Sequence, residues 1–335
     1  MSINEKPLEL KPNDYASDQE VRWCPGCGDY AILNAVKRTL ADLQADTAKT
    51  VFVSGIGCSS RLPYYMATYG FHTIHGRAPA FATGIKITNP ELDVWVITGD
   101  GDSLSIGGNH FIHIFRRNLN CQILLFNNEI YGLTKGQASP ASRTGTISPS
   151  TPKGSLESPL SACELALSSG ATFVARGVDT SIKQLVPTLI EAKKHDGASL
   201  VEIYQNCIVY NDDVFNSFTE KSSSADRQIH LEDKKPMLFG TEKNKGLALS
   251  SDNSKLELID LKINKKDESK ILVHDINNKT QAYLLAQMDQ NIMPVALGVL
   301  YRIKKPTLDT YHNKRIKEHT NKIEDIIEKG QTWTI

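Results

Sequence analysis

Between residues 50 and 206 the chain carries short runs that are apolar on both faces: TVFVSG (50–55), DVWVIT (93–98), CQILLFN (121–127), ATFVAR (171–176) and ASLVEIY (198–204). Runs of this length without polar alternation read as strands buried from both sides. Between the second and third, SLSIGGNHFIHIFRRN (103–118) places Leu104, Phe111, Ile114 and Phe115 on one helical face, and SIKQLVPTLIEAKK (181–194) precedes the last strand in the same way. Strand, helix and strand with two-sided burial predict an α/β fold: a mostly parallel sheet with helices on both faces. The interval 128–160 is rich in Gly, Ser, Thr and Pro and has no period, so a long loop is expected there. After residue 210 charged segments surround brief apolar ones. The organisation expected is an N-terminal arm (1–20), one domain (21–210) and an irregular C-terminal extension (211–335) that wraps a neighbour or partner. No internal repeat is present.

A chain of 335 residues with 40% hydrophobic content can bury a full core. Its 38 basic residues balance 38 acidic ones, so no net field favours nucleic acid or an anionic membrane, and any anion must be bound by local arrangement. The N-terminal segment lacks the basic start and apolar stretch of a secretory signal, and no run reaches the ~18 apolar residues of a membrane span. The expected location is cytoplasmic. In a reducing compartment six cysteines point to metal or redox chemistry rather than to a disulfide framework.

The strand DVWVIT runs into Gly99-Asp100-Gly101-Asp102, where glycines would let backbone N–H groups approach a diphosphate. Asn128 follows Asp100 by 28 positions. A helix of ~15 residues covers ~22 Å and a strand of ~6 residues ~20 Å, so this interval goes down one helix and back up one strand. Asp100 and Asn128 then meet at one sheet edge, and with the Ile130 carbonyl and two phosphate oxygens they would contribute to the oxygen octahedron that Mg²⁺ prefers. The plain alternative is a capped turn and an unrelated Asn-Asn turn. By itself Cys24-Pro25-Gly26-Cys27 fits half a zinc site, a redox dithiol or a turn with two thiols. Cys58 and Cys207 follow strands to the same edge as Asp100. Four thiolates can therefore converge there, which suits zinc or a cubane cluster. Cys121 starts a strand at the opposite edge and Cys163 lies in an apolar helix, as packed thiols do.

GDG followed at this interval by NN resembles the diphosphate-binding motif of thiamine-diphosphate enzymes. WCPGCGDYAILNAVKRTL (23–40), SGIGCSSRLPYYM (54–66), HTIHGRAPAFATGIK (72–86) and YGLTKGQASP (131–140) resemble, in family order, the β subunits of 2-oxoacid:ferredoxin oxidoreductases. The likeness covers residues 20–210 and continues more weakly through KPMLFG and PVALGVLYR. It implies a 4Fe–4S cluster on Cys24, Cys27, Cys58 and Cys207, Mg²⁺ on Asp100, Asn128 and Ile130, and thiamine diphosphate against Ile56, Gly57, Cys58, Ser59, Gly101, Asp102, Gly132 and Leu133. His75 would contact the diphosphate or reacting centre, or satisfy its own turn. Arg77 would pair with phosphate or a surface carboxylate, and His72, His110 and His113 read as helix or turn residues. TKGQASP and the long tail resemble the 2-oxoglutarate branch, with Arg61 or Lys135 as the cation for the second carboxylate.

The implied reaction is oxidative decarboxylation of a 2-oxoacid with acyl transfer to coenzyme A and electrons passed to ferredoxin. With only one sheet of this kind, the chain would need a separate α subunit to bring the activating Glu, in a heterodimer or dimer of heterodimers. The competing expectations are the same chemistry on pyruvate or another 2-oxoacid, a non-oxidative thiamine enzyme that leaves the four cysteines unexplained, and a zinc-stabilised scaffold with a degenerate nucleotide fold.

Overall fold

The computed structural model describes residues 9–263, 265–318 and 328–329. Eight strands form the main sheet: β1 (Thr50–Ser54), β2 (Tyr69–His72), β3 (Asp93–Gly99) and β4 (Cys121–Asn127) come first. A two-stranded hairpin, β5 (Ile130–Tyr131) and β6 (Gln137–Ala138), interrupts the chain before β7 (Phe173–Val178), β8 (Ala198–Tyr204) and β9 (Gln228–His230). A small antiparallel sheet of β10 (Leu238–Phe239), β11 (Lys245–Leu249) and β12 (Leu256–Asp260) precedes β13 (Val295–Arg302). The order across the main sheet is β2-β1-β3-β4-β8-β7-β13-β9. Its pairings are parallel except that of β13 with β7.

Successive side chains of a strand face opposite sides, and the central strands sort accordingly. Val51, Val53, Val94, Val96, Ile123 and Leu125 enter one core. Phe52, Trp95, Ile97, Leu124 and Phe126 enter the other. Helices α1 (Asp29–Asp42) and α6 (Ile182–Lys194) cover the second core, whereas α2 (Ala78–Thr88), α4 (Gly108–Arg117) and α5 (Ala162–Ser168) cover the first. Apolarity on both strand faces thus gives the expected three-layer α/β fold. β1 lies between β2 and β3, so the chain reverses direction across the sheet there; crevices of this kind at the C-terminal strand ends are where open α/β sheets take ligands.

Three local expectations are corrected. The helix expected over 103–118 is two, α3 (Asp100–Leu104) and α4, because the turn His75-Gly76 crosses at Gly107. A Cβ on Gly107 would stand 2.4 Å from the Asp102 carbonyl oxygen and 2.9 Å from the Gly76 Cα, so no side chain fits at that crossing. The strand expected at 171–176 starts two residues later, since Thr172 is held by Asn118 and His195 before the ladder begins. The sheet also runs past residue 210: β9 and β13 continue it beyond β7, and the helix Lys279–Ala286 adds Ala282, Leu285 and Ala286 to the first core. Within the expected arm, Tyr15 is fully buried and its hydroxyl donates to the Ala45 carbonyl at 2.8 Å. Residues 1–8 lie outside the described residues.

Candidate active site

The ends of β1, β3, β4 and β8 open on one edge and enclose a cavity of about 370 Å³. Ile56, Gly57, Cys58, Ser59, His75, Asp100, Gly101, Asp102, Asn128, Ile130, Gly132 and Leu133 all line it. Every sequence-derived candidate for thiamine or magnesium therefore faces one space. Asp102 ties the surrounding loops together. Its carboxylate accepts from the Ile56 N–H at 3.1 Å, the Gly76 N–H at 2.7 Å and the Thr98 hydroxyl at 2.7 Å. Burial raises its pKa, and these donors together with nearby His75 oppose the rise.

Asp100 has a different setting. It is 2% exposed, and Oδ2 accepts from the Ser139 hydroxyl at 2.5 Å. Burial pushes its carboxyl up to about 7, against the pull of Ser139 and backbone N–H groups. A desolvated carboxylate of this kind is stabilised by a cation. Gly101 is required for a reason the sequence did not show: a Cβ there would sit 2.1 Å from the Tyr131 ring, whose hydroxyl donates to the Gly101 carbonyl at 3.1 Å. The β5–β6 hairpin is thereby clamped onto the Gly99–Asp102 turn. Two non-glycine residues of that segment, Glu129 (φ 56°) and Lys135 (φ 78°), hold left-handed backbone, a strain of the kind that accumulates at functional sites. The loop that follows is ordered around the site through Ser139 and through Ser142, whose hydroxyl donates to the Glu129 carbonyl at 2.5 Å.

A second cavity, of about 210 Å³, is lined by Cys24, Cys27, Cys58 and Cys207 together with Arg61 and Lys135. It shares Cys58, Asn128, Gly132, Leu133 and Gln205 with the first. Three separate segments bring the thiols together. The Trp23 indole N–H donates to the Cys58 carbonyl at 2.7 Å, which holds the CPGC segment to the loop after β1. The Gly28 N–H donates to the Asn206 carbonyl at 3.1 Å, which holds it to the loop after β8. Gly132 lies against two of these thiols: a Cβ there would lie 3.4 Å from the Cys207 sulfur and 3.5 Å from that of Cys58. Burial pushes the Cys58 thiol up to about 12 and raises Cys27 further, with neighbouring Asp29 and the other thiols adding to both.

Cys121 and Cys163 are fully buried away from this edge, and the Cys163 thiol donates to Glu202 at 3.1 Å, as packed thiols would. Arg77 does not line either cavity described above; its guanidinium meets His110. Arg61 and Lys135 face the thiol-lined cavity and not the larger one. Among the described residues, no three His, Cys, Asp or Glu side chains are grouped closely enough to hold a metal ion as placed, and no helix is long and apolar enough to cross a membrane. Gln205 and Tyr131 are site residues that the sequence reading passed over. Gln205 directly follows β8 and so obeys the same edge rule that located Cys207.

Residues 55–203 match the family model "Thiamine pyrophosphate enzyme, C-terminal TPP binding domain". The chain is 45% identical over 97% of its length, and 88% of the relative's, to the 2-oxoglutarate oxidoreductase subunit KorB of Mycobacterium tuberculosis. It is 47% identical to the 2-oxoacid:ferredoxin oxidoreductase 1 subunit beta of Aeropyrum pernix, over 63% of this chain and 65% of that one. Among solved structures, the 2-oxoglutarate:ferredoxin oxidoreductase of Magnetococcus marinus, determined with 2-oxoglutarate, coenzyme A and succinyl-CoA bound, superposes with a TM-score of 0.78 at 33% identity, covering 96% of this chain and 97% of its own. Similarity sustained along nearly the whole chain makes it a member of the 2-oxoacid:ferredoxin oxidoreductase β-subunit family, closely related to 2-oxoglutarate synthase β subunits.

Proposed function

We propose that this chain is the β subunit of a 2-oxoglutarate:ferredoxin oxidoreductase, with Mg²⁺ and thiamine diphosphate in the larger cavity and a 4Fe–4S cluster in the smaller one. The supporting observation is the wall the two cavities share, Cys58, Gly132 and Leu133 among its residues, which would leave an electron little distance to cross. The donor sets suit these groups. Asp100 and Asn128 offer the hard oxygens that Mg²⁺ takes, with the Ile130 carbonyl as a third. Four thiols line one cavity, and a Cβ at position 132 would touch two of them, Cys58 and Cys207.

Thiamine diphosphate, when bound, supplies the electron-sink chemistry of decarboxylation. The chain's own residues do the rest of the work in this reading. Asp102 fixes the loops of Ile56 and Gly76, and Ile56, Gly57, Ser59, Gly101, Gly132 and Leu133 exclude water around the reacting centre. His75 lines the same cavity beside Asp102 and in this reading would contact the diphosphate. Arg61 and Lys135 line the cavity given to the cluster and not the larger one, so the 2-oxoglutarate reading is supported by the relatives and not by these two cations. The overall change is 2-oxoglutarate and coenzyme A to succinyl-CoA and CO₂, with the two electrons released passing to ferredoxin. None of the described residues lining the larger cavity is a glutamate, and an α subunit is read as bringing it.

Iron and acid-labile sulfide should be present in anaerobically purified protein, and the co-purified α–β complex should reduce ferredoxin with 2-oxoglutarate faster than with pyruvate, branched 2-oxoacids or indolepyruvate. Zinc without sulfide would return the chain to a scaffold role. A preference for pyruvate would overturn the substrate alone, and turnover by the isolated chain would overturn the shared active site.

A further inference from the structure

Gln205 stands on the wall between the two candidate sites and is bonded to a proposed ligand on each side. Gln205 is 1% exposed, lines both cavities, and has its backbone fixed by an N–H donated to the Asn127 carbonyl at 2.9 Å. Its Oε1 accepts from the Asn128 Nδ2 at 2.8 Å. Its Nε2 donates to the Cys27 sulfur at 3.3 Å and to the Asn206 carbonyl at 2.5 Å. The amide is therefore satisfied at both ends and has one orientation.

That orientation has a consequence on each side. Because Asn128 spends its Nδ2 on Gln205, its Oδ1 is the atom left over, bonded only by the Ile130 N–H at 3.2 Å and still carrying a free lone pair. An amide turned the other way would present nitrogen protons to a cation and could not ligate it. On the thiol side, the same amide points its Nε2 at the Cys27 sulfur. An N–H aimed at that sulfur stabilises added negative charge, and hydrogen bonds to cluster sulfurs raise reduction potential.

We infer that Gln205 is a positioning residue that sets the oxygen of Asn128 toward Mg²⁺ and, through the same amide, holds the cluster potential up by its bond to Cys27. The inference rests on the assignment of Asn128 and Cys27 proposed above and adds the residue that couples them. Ligand-orienting partners of this kind are worth about tenfold or more in metal affinity.

The test uses the co-purified α–β complex carrying Gln205→Leu or the near-isosteric Gln205→Glu. Gln205→Leu removes both bonds. Its cluster should be harder to reduce by about tenfold in the reduction equilibrium, which is 59 mV for a one-electron couple, and its Mg²⁺–thiamine diphosphate affinity should fall about tenfold. Gln205→Glu keeps an acceptor for Asn128 but places no N–H on the sulfur, so its potential should fall while cofactor affinity stays within about twofold of the native complex. Iron and sulfide content, measured alongside, separates a retuned cluster from a lost one. An unmoved potential in Gln205→Leu, or equal loss of cofactor affinity in both variants, overturns the inference while the native cluster stands. A native complex without iron overturns the functional reading itself and this inference with it.

Discussion

The two ends of the central strands are both buried and differ in how their polar groups are held. At the N-terminal end, Asn118 Oδ1 accepts from the Thr172 hydroxyl at 2.7 Å and the Ala198 N–H at 3.0 Å, while its Nδ2 donates to the carbonyls of Lys305 and Pro306. His195 meets the same Thr172 hydroxyl at 2.8 Å, and the Lys86 ammonium donates to the carbonyls of Pro90 and Leu92. At the C-terminal end, neither oxygen of Asp29 has a hydrogen-bond partner, nor do the buried hydroxyls of Ser54, Ser60 and Ser103. Burial pushes both Asp29 and Asp100 up to about 7. Buried polar groups are ordinarily paired. Unpaired buried atoms also occur at Thr39, Trp95, Gln184 and His312, but Asp29 and Asp100, both pushed up to about 7, lie at the end that holds the cavities.

The contrast breaks if substitutions at the two ends have the same effect. Asp100→Ala should lower Mg²⁺–thiamine diphosphate affinity by about a hundredfold or more, because it removes a candidate ligand outright. Titration of the cofactor into the purified complex reads this directly. The same variant should leave the cofactor-free protein as stable as the native one, or more so, since it deletes a desolvated carboxylate. Asn118→Ala should do the reverse. It removes four side-chain hydrogen bonds and places alanine at φ 49°, which should cost about 2–4 kcal/mol in urea unfolding. Cofactor affinity should not change. A drop in cofactor-free stability for Asp100→Ala as large as that for Asn118→Ala would show that the C-terminal end is structural after all.

Much of this arrangement was legible in local sequence, and the parts that were not share a cause. Asp100 and Asn128 could be brought to one edge because a single crossover separates them, and Cys58 and Cys207 because each follows an apolar strand. The break at Ser105–Gly107 was hidden: Leu104, Phe111 and Phe115 keep helical spacing across it, and only the distant Gly76 explains it. β13 was hidden because its partner β7 lies more than a hundred positions earlier and pairs antiparallel, across a register shift between Val299 and Tyr301. β2 was hidden for the opposite reason, being an edge strand with all four residues exposed. Gln205 carries no motif; its meaning lies in two contacts, one to Asn128 and one to Cys27, that only the fold creates.

The smallest effect is also the one that gives the two ends opposite signs. Burial lowers His195 to about 4, with Arg302 and Lys304 adding to the fall and Asp196 opposing it. An unfolded histidine titrates near ~6.5. Between these values the unfolded chain takes up a proton that the folded chain refuses, so His195 stabilises the fold fully above about pH 6.5 and loses that contribution as pH falls toward 4, by at most ~3 kcal/mol. Asp29 and Asp100 act the other way. With folded values of about 7 against ~3.9 unfolded, each keeps a proton in the fold that the unfolded chain has released. Their contribution is present below about pH 4 and is lost as pH rises through 7. The native pH profile of cofactor-free stability therefore mixes both signs. Subtracting the profile of His195→Gln isolates one: the difference should grow from nothing near pH 4 to a plateau above pH 6.5. A difference that is flat, or that grows toward acid, would mean that His195 is charged in the fold and that the N-terminal end is not the satisfied one.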